Sequence, residues 1–167
     1  MALHEELCAF ASWCVLTNHE DTVRENAAAV AKAVAEELWP GASIEVEVFG
    51  SWKAGISLPD GDLDVTIRNV PRAETKKKLN VQIEKFGKRL EEKRFQRVEV
   101  VTSAKVPLVK YVDPAANLAV DVSFNMDTPG EMTAWIAKEM RSYAALRPLT
   151  PRALVILNHR SQGRARV

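Results

Sequence analysis

Cysteine, histidine and long apolar runs are what this chain has least of. Cys8 and Cys14 are its two cysteines, and both fall in one predicted helix. Six residues apart, they lie well apart around the helical wheel and too far along its axis for a disulfide. A reducing, intracellular setting is expected, and a thiolate metal centre is not. His4, His19 and His159 are scattered and read as surface or capping residues, not as a catalytic cluster. No apolar run approaches the roughly 20 residues that span a bilayer, so no membrane contact is expected. Residues 1–15 lack the basic start and apolar block of a secretory signal and read as a helix instead. There is no internal repeat and no low-complexity linker.

Net charge is low as well, +1 over 167 residues, but it is unevenly placed. Residues 1–67 carry 3 basic and 12 acidic side chains, and residues 68–110 carry 13 and 5. A basic middle segment can serve a polyanion, or simply keep a helix face solvated. The remaining composition, 47% hydrophobic and 27% charged, fits one globular domain large enough to bury a core.

Periodicity gives the elements. Leu3, Leu7, Phe10, Ala11 and Cys14 have helical spacing. Asn18 is placed to cap an alanine-rich helix with Val23, Ala27, Val30, Val34 and Leu38 on one stripe, ended by Pro40 and Gly41. Residues 43–49 alternate as a half-buried strand, and residues 51–56 read as one helical turn. Residues 62–68 form a second strand. Pro71 opens a helix to about residue 95, with Leu79, Ile83, Phe86 and Leu90 inward and most of its lysines elsewhere. Residues 97–102, 104–111 and 118–124 read as strands, with Pro107 marking an edge or a bulge. Thr128 and Glu131 have capping-box spacing around Pro129, and the helix they start ends at Pro148. A short helix follows from Pro151.

The chemistry concentrates in residues 49–65, FGSWKAGISLPDGDLDV. On a strand, Asp62 and Asp64 project to the same face while Leu63, Val65 and Ile67 point into a core. Two carboxylates side by side repel unless a cation sits between them, and hard oxygen ligands suit Mg²⁺. Just upstream, Gly50 and Ser51 end a strand. Glycine allows close approach to a ligand, and a strand-to-helix turn points amide donors outward. An anion-binding turn beside paired carboxylates is equipment for phosphoryl or nucleotidyl transfer. Asp121 is a lone carboxylate in an apolar strand, opposite in parity to Leu118, Val120 and Val122. It is either a solvent-facing acid or, if its strand pairs beside residues 62–64, a third ligand.

The order Gly-Ser, ten residues, Asp-apolar-Asp-apolar resembles the signature of the DNA-polymerase-β nucleotidyltransferase superfamily. Gly55 and Leu58-Pro59 resemble the FGSxxTGLxLPxSDID block of the noncanonical poly(A) and poly(U) polymerases. Residues 104–125, AKVPLVKYVDPAANLAVDVSFN, are similar to a second block of that family, whose aspartate is the third metal ligand and falls on Asp121. Val106-Pro107, Lys110 and Ser123-Phe124-Asn125 match too. LHEEL, an arginine in the next helix and LWPGASIEVEVFGS resemble the lead-in of the nuclear poly(A) polymerases of RNA-surveillance complexes. The likeness covers roughly residues 3–160 and is weakest over the basic helix and the last helix.

The resemblance implies an α+β fold, palm-like, with a mixed five-stranded sheet and helices mainly on one face. It implies template-independent addition of AMP from ATP to an RNA 3′ end. Asp62, Asp64 and Asp121 would hold two Mg²⁺ or Mn²⁺ ions, and Gly50 and Ser51 would grip the β- and γ-phosphates. A nuclear setting is implied. Residues 17–148 would be the catalytic domain. Residues 1–16 would form a helix meant to pack on a helical domain, and residues 149–167 the truncated start of that domain. A protein partner could cover the exposed stripe, with Trp13 on it. The family serine before the first aspartate is Gly61 here, and the threonine after the Gly-Ser turn is Ala54. The triphosphate-binding lysine has no clear match near residues 154–158. Low activity and weak nucleotide selectivity are expected of the isolated chain. Two other readings are a minimal nucleotidyltransferase that moves AMP to a protein or small molecule, and a non-catalytic relic serving as an interaction module.

Overall fold

The computed structural model describes residues 3–146, 148–151 and 153–155. Five strands form one mixed sheet in the spatial order β1 (Glu45–Phe49), β2 (Leu63–Arg68), β5 (Leu118–Phe124), β4 (Leu108–Asp113) and β3 (Gln96–Val101). β2 and β5 run parallel, and the other neighbours are antiparallel.

Period-two patterning decides which face becomes the core. Leu63, Val65, Ile67, Val109, Val120 and Val122 are wholly buried on one side of the sheet. That face is covered by α2 (Asn18–Leu38) and α4 (Lys76–Glu92). The inner stripe of α2 is Ala27, Ala31, Val34 and Ala35, small side chains that let the helix approach the strands closely. Arg24 lies in the same stripe and is buried too. α4 contributes Ile83, Phe86 and Leu90. Trp39 stacks on Phe86 with centroids 6.2 Å apart, and Phe86 meets the edge of Phe124 at 5.3 Å. Such pairs add about 0.5–1.5 kcal/mol each beyond area burial. α3 (Gly50–Ala54) is a single turn after β1, and α5 (Pro129–Ser142) packs against α3 and β1. α1 (Leu3–Trp13) buries none of its residues.

The resemblance-bearing Ser-Phe-Asn at the end of β5 has a structural use. Ser123 Oγ donates to Val65 O at 3.2 Å, and the Asn125 amide donates to Ile67 O at 2.8 Å. Asn125 Oδ1 accepts from the Val70 amide. Together they tie the end of β5 to β2, the strand pair that carries Asp64 and Asp121.

Several boundaries differ from the sequence expectation. The cap of α2 is Thr17, not Asn18. Its Oγ1 accepts from the Glu20 amide while the Glu20 carboxylate accepts from the Thr17 amide, a closed capping box. α4 starts five residues after Pro71, because Thr75 caps it by accepting from the Lys78 amide. Thr128 precedes α5 but its side chain makes no capping bond. α5 ends at Ser142, well before Pro148, because Tyr143 is extended. Helical backbone returns at residues 148–151 and 153–155, and the rest of the expected last helix lies outside the described residues. β4 is an inner strand, not an edge: it begins at Leu108, so Pro107 sits just outside the ladder, where its missing N–H costs no hydrogen bond. Trp135 on α5 is 58% exposed.

Candidate active site

Strand pairing brings the three aspartates together. In the parallel β2–β5 ladder, Asp64 lies directly opposite Asp121, and both point to the face away from the core. Asp62 precedes the first paired residue of β2 and continues the alternation on the same side. One carboxylate oxygen from each of Asp62, Asp64 and Asp121 lies within 4.8 Å of the others. Asp62 is exposed and the other two are half-buried.

That cluster is electrostatically unbalanced. Lys110 on β4 pairs across the ladder with Asp121, and its ammonium forms an ion pair with the Asp121 carboxylate. That hydrogen bond raises the Lys110 pKa, against its own desolvation. A single lysine does not neutralise three carboxylates. The result falls on Asp64, whose pKa is pushed up to about 6, first by burial and then by the charges of Asp62 and Asp121, with Lys110 opposing. Three convergent hard oxygen donors with excess negative charge fit a divalent cation. The donor set could hold such an ion.

Gly50 belongs to the site for reasons of space. Its φ is +75°, and a Cβ there would stand 1.9 Å from Asp64 Oδ2. Only glycine allows both the left-handed backbone and the close approach of that carboxylate. The Gly50 amide, expected to grip phosphate, instead donates to Thr133 Oγ1 at 3.0 Å. Thr133 on α5 is 5% exposed, and its hydroxyl donates in turn to Pro129 O at 3.2 Å. Nothing in its local sequence marks it: a threonine inside a helix carries no signal of a partner 83 residues away.

Arg24, the helix arginine of the resemblance, has a role the sequence did not show. From α2 its guanidinium donates to the carbonyls of Leu58, Pro59 and Gly61, in the loop that leads into Asp62. A cavity of about 700 Å³ between α1, α3 and α5, lined by Cys14, Trp52, Gly55 and Met140, is not lined by Asp62, Asp64 or Asp121. The acidic cluster sits on the open face of the sheet, where a large substrate can reach it. The basic helix α4 lies on the opposite face. Lys76, Lys77, Lys78, Lys85 and Lys88 there are exposed, while Arg89 and Lys93 both pair with Glu37 of α2.

Known proteins share this arrangement of elements. A family model described as the poly(A) RNA polymerase, mitochondrial-like, central palm domain matches residues 3–137. Poly(A) RNA polymerase cid14 of Schizosaccharomyces pombe is 32% identical over 160 residues, 93% of this chain and 22% of that protein. Trf4-2 of Drosophila melanogaster, named as an inactive noncanonical poly(A) RNA polymerase, is 28% identical over 158 residues, 93% of this chain and 36% of that one. Among solved structures, the polymerase core of TRAMP, an RNA surveillance complex, gives a TM-score of 0.78 at 24% identity, over 93% of this chain and 47% of that one. The fold is thus the α+β nucleotidyltransferase palm. The chain spans well under half the length of these curated relatives.

Proposed function

Because the chain belongs to the family of the mitochondrial-like poly(A) RNA polymerase central palm domain, we propose that it is the catalytic palm of an RNA 3′-terminal nucleotidyltransferase that adds AMP from ATP without a template. The observation that carries this reading is the meeting of Asp62, Asp64 and Asp121 on one open face, within 4.8 Å of one another. These three side chains would hold two Mg²⁺ or Mn²⁺ ions. When bound, such ions lower the pKa of a ribose hydroxyl and neutralise a triphosphate. Asp121 would assist removal of the proton from an incoming 3′-hydroxyl, acting as a carboxylate base. Ser51 offers its hydroxyl and amide to the phosphates. Gly50 makes room for Asp64 rather than binding the nucleotide through its own amide. Positioning and charge stabilisation supply most of the acceleration in this scheme.

A nuclear setting and a protein partner on the exposed faces of α1 and α5 belong to the same proposal. The test is transfer of AMP from α-labelled ATP to the 3′ end of an oligo(A) RNA with Mg²⁺, with release of pyrophosphate. Asp64→Ala should remove nearly all incorporation, and normal incorporation by that variant would sink the assignment. A non-catalytic interaction module is the second reading, favoured by the likeness to a relative named as inactive. Absence of Mg²⁺-dependent ATP binding in calorimetry would favour it.

A further inference from the structure

Arg24 is 2% exposed, the largest of the fully buried side chains. Taking a guanidinium out of water costs several kcal/mol unless its hydrogen bonds are made elsewhere. All the hydrogen bonds it makes go to backbone carbonyls. Nη1 reaches back one turn to Glu20 O at 3.3 Å. Nη2 takes Leu58 O at 3.3 Å, Pro59 O at 3.1 Å and Gly61 O at 3.1 Å. Nε is buried without a partner. Fold stability alone would favour an apolar residue in this helix stripe, because replacing buried ions with apolar side chains is often neutral or stabilising.

The three carbonyls explain the cost. They belong to the loop that ends at Asp62. Asp64 and Asp121 are fixed by the sheet, since they pair with each other and with Phe49 and Lys110. Asp62 precedes the first paired residue of β2 and has no such support. In a trans peptide the C=O and N–H point in opposite directions. With the Gly61 carbonyl drawn down to Arg24, the Asp62 amide faces the other way and the peptide between them has one orientation. Both arms of the planar guanidinium are used at once: Nη1 anchors it to α2 at Glu20 O, and Nη2 shares its two N–H groups among the three loop carbonyls.

We propose that Arg24 is a positioning residue for the acidic cluster: by clamping residues 58–61 it holds the Asp62 carboxylate in register with Asp64 and Asp121. The inference rests on the metal-site reading above. Its test is Mn²⁺ titration of the full 167-residue chain, followed by water-proton relaxation, with thermal melting alongside. Arg24→Lys keeps the charge and loses the fork. Arg24→Met fills the space without a charge and carries the test if the lysine variant does not fold. The expected result is a folded variant whose Mn²⁺ affinity is lower by about tenfold or more, the size typical of losing support behind a ligand. Nucleotide transfer by that variant should recover as Mn²⁺ is raised to saturation, whereas Asp62→Asn should not recover. A folded Arg24 variant with unchanged Mn²⁺ affinity overturns the proposal and leaves the metal-site reading standing. Failure of the wild-type chain to bind Mn²⁺ overturns both.

Discussion

Asp64 is destabilising in the metal-free protein, and that makes it testable by pH. Its folded pKa of about 6 lies above the ordinary value of 3.8. The folded state therefore holds the extra proton between those values, and this residue's contribution falls as pH rises from about 4 through about 6. Above that window the full cost is present. Asp64→Asn should match the wild type near pH 4 and exceed its stability by about 1–2 kcal/mol at pH 7, a figure reduced for partial exposure. Urea denaturation at both pH values checks this, and a difference that does not grow with pH would contradict it. Residues of this kind were legible from the sequence because a carboxylate at a given strand parity has a known direction. The roles of Thr133 and Arg24 were not, because each acts on a partner far away in the chain, and helical spacing says only that a side chain faces inward. In Arg24 it hid even that, since an arginine does not look like part of an apolar stripe.

Between elements, the link that matters most to the site runs from α5 to the turn at the start of α3. The Thr133 hydroxyl is the acceptor for the Gly50 amide and is itself held by Pro129 O. Thr133→Val keeps the shape and leaves that amide without an acceptor. The variant should lose about 1–2 kcal/mol of stability in thermal or urea melts. An unchanged melt would mean that water replaces the hydroxyl and that α5 does not brace the turn. Strands were read well at this scale because alternation against a one-sided core is a strong pattern: β5 falls on residues 118–124 as expected. Helix starts were read less well. Asn18 and Pro71 are good start residues in isolation, yet Thr17 wins through its reciprocal bond with Glu20, and Thr75 wins through the Lys78 amide. Pro107 misled because a proline just outside a strand looks the same in sequence as one inside it.

The molecule as a whole has two unlike faces. α2, α4 and the packed core lie on one side of the sheet, and the acidic cluster opens on the other, beside α3 and the start of α5. The basic middle segment puts six of its thirteen cations on α4, on the packed side, where Arg89 and the adjoining Lys93 tie α4 to α2 through Glu37. Its placement favours solvation and helix pairing over contact with a substrate at the aspartates. Trp13, Met132, Trp135 and Tyr143 remain 58–74% exposed on α1, on α5 and just past the end of α5. Among the described residues no helix is long and apolar enough to cross a membrane. What brings sequence and molecule together is the parallel pairing of β2 with β5, a contact between segments more than fifty residues apart that no local pattern specifies. The most direct test of it is anomalous diffraction from crystals of the chain soaked in Mn²⁺. A manganese peak within coordination distance of oxygens from both Asp64 and Asp121 is the predicted result. Metal-soaked crystals with no peak between those two strands, and the two carboxylates turned apart, would contradict it.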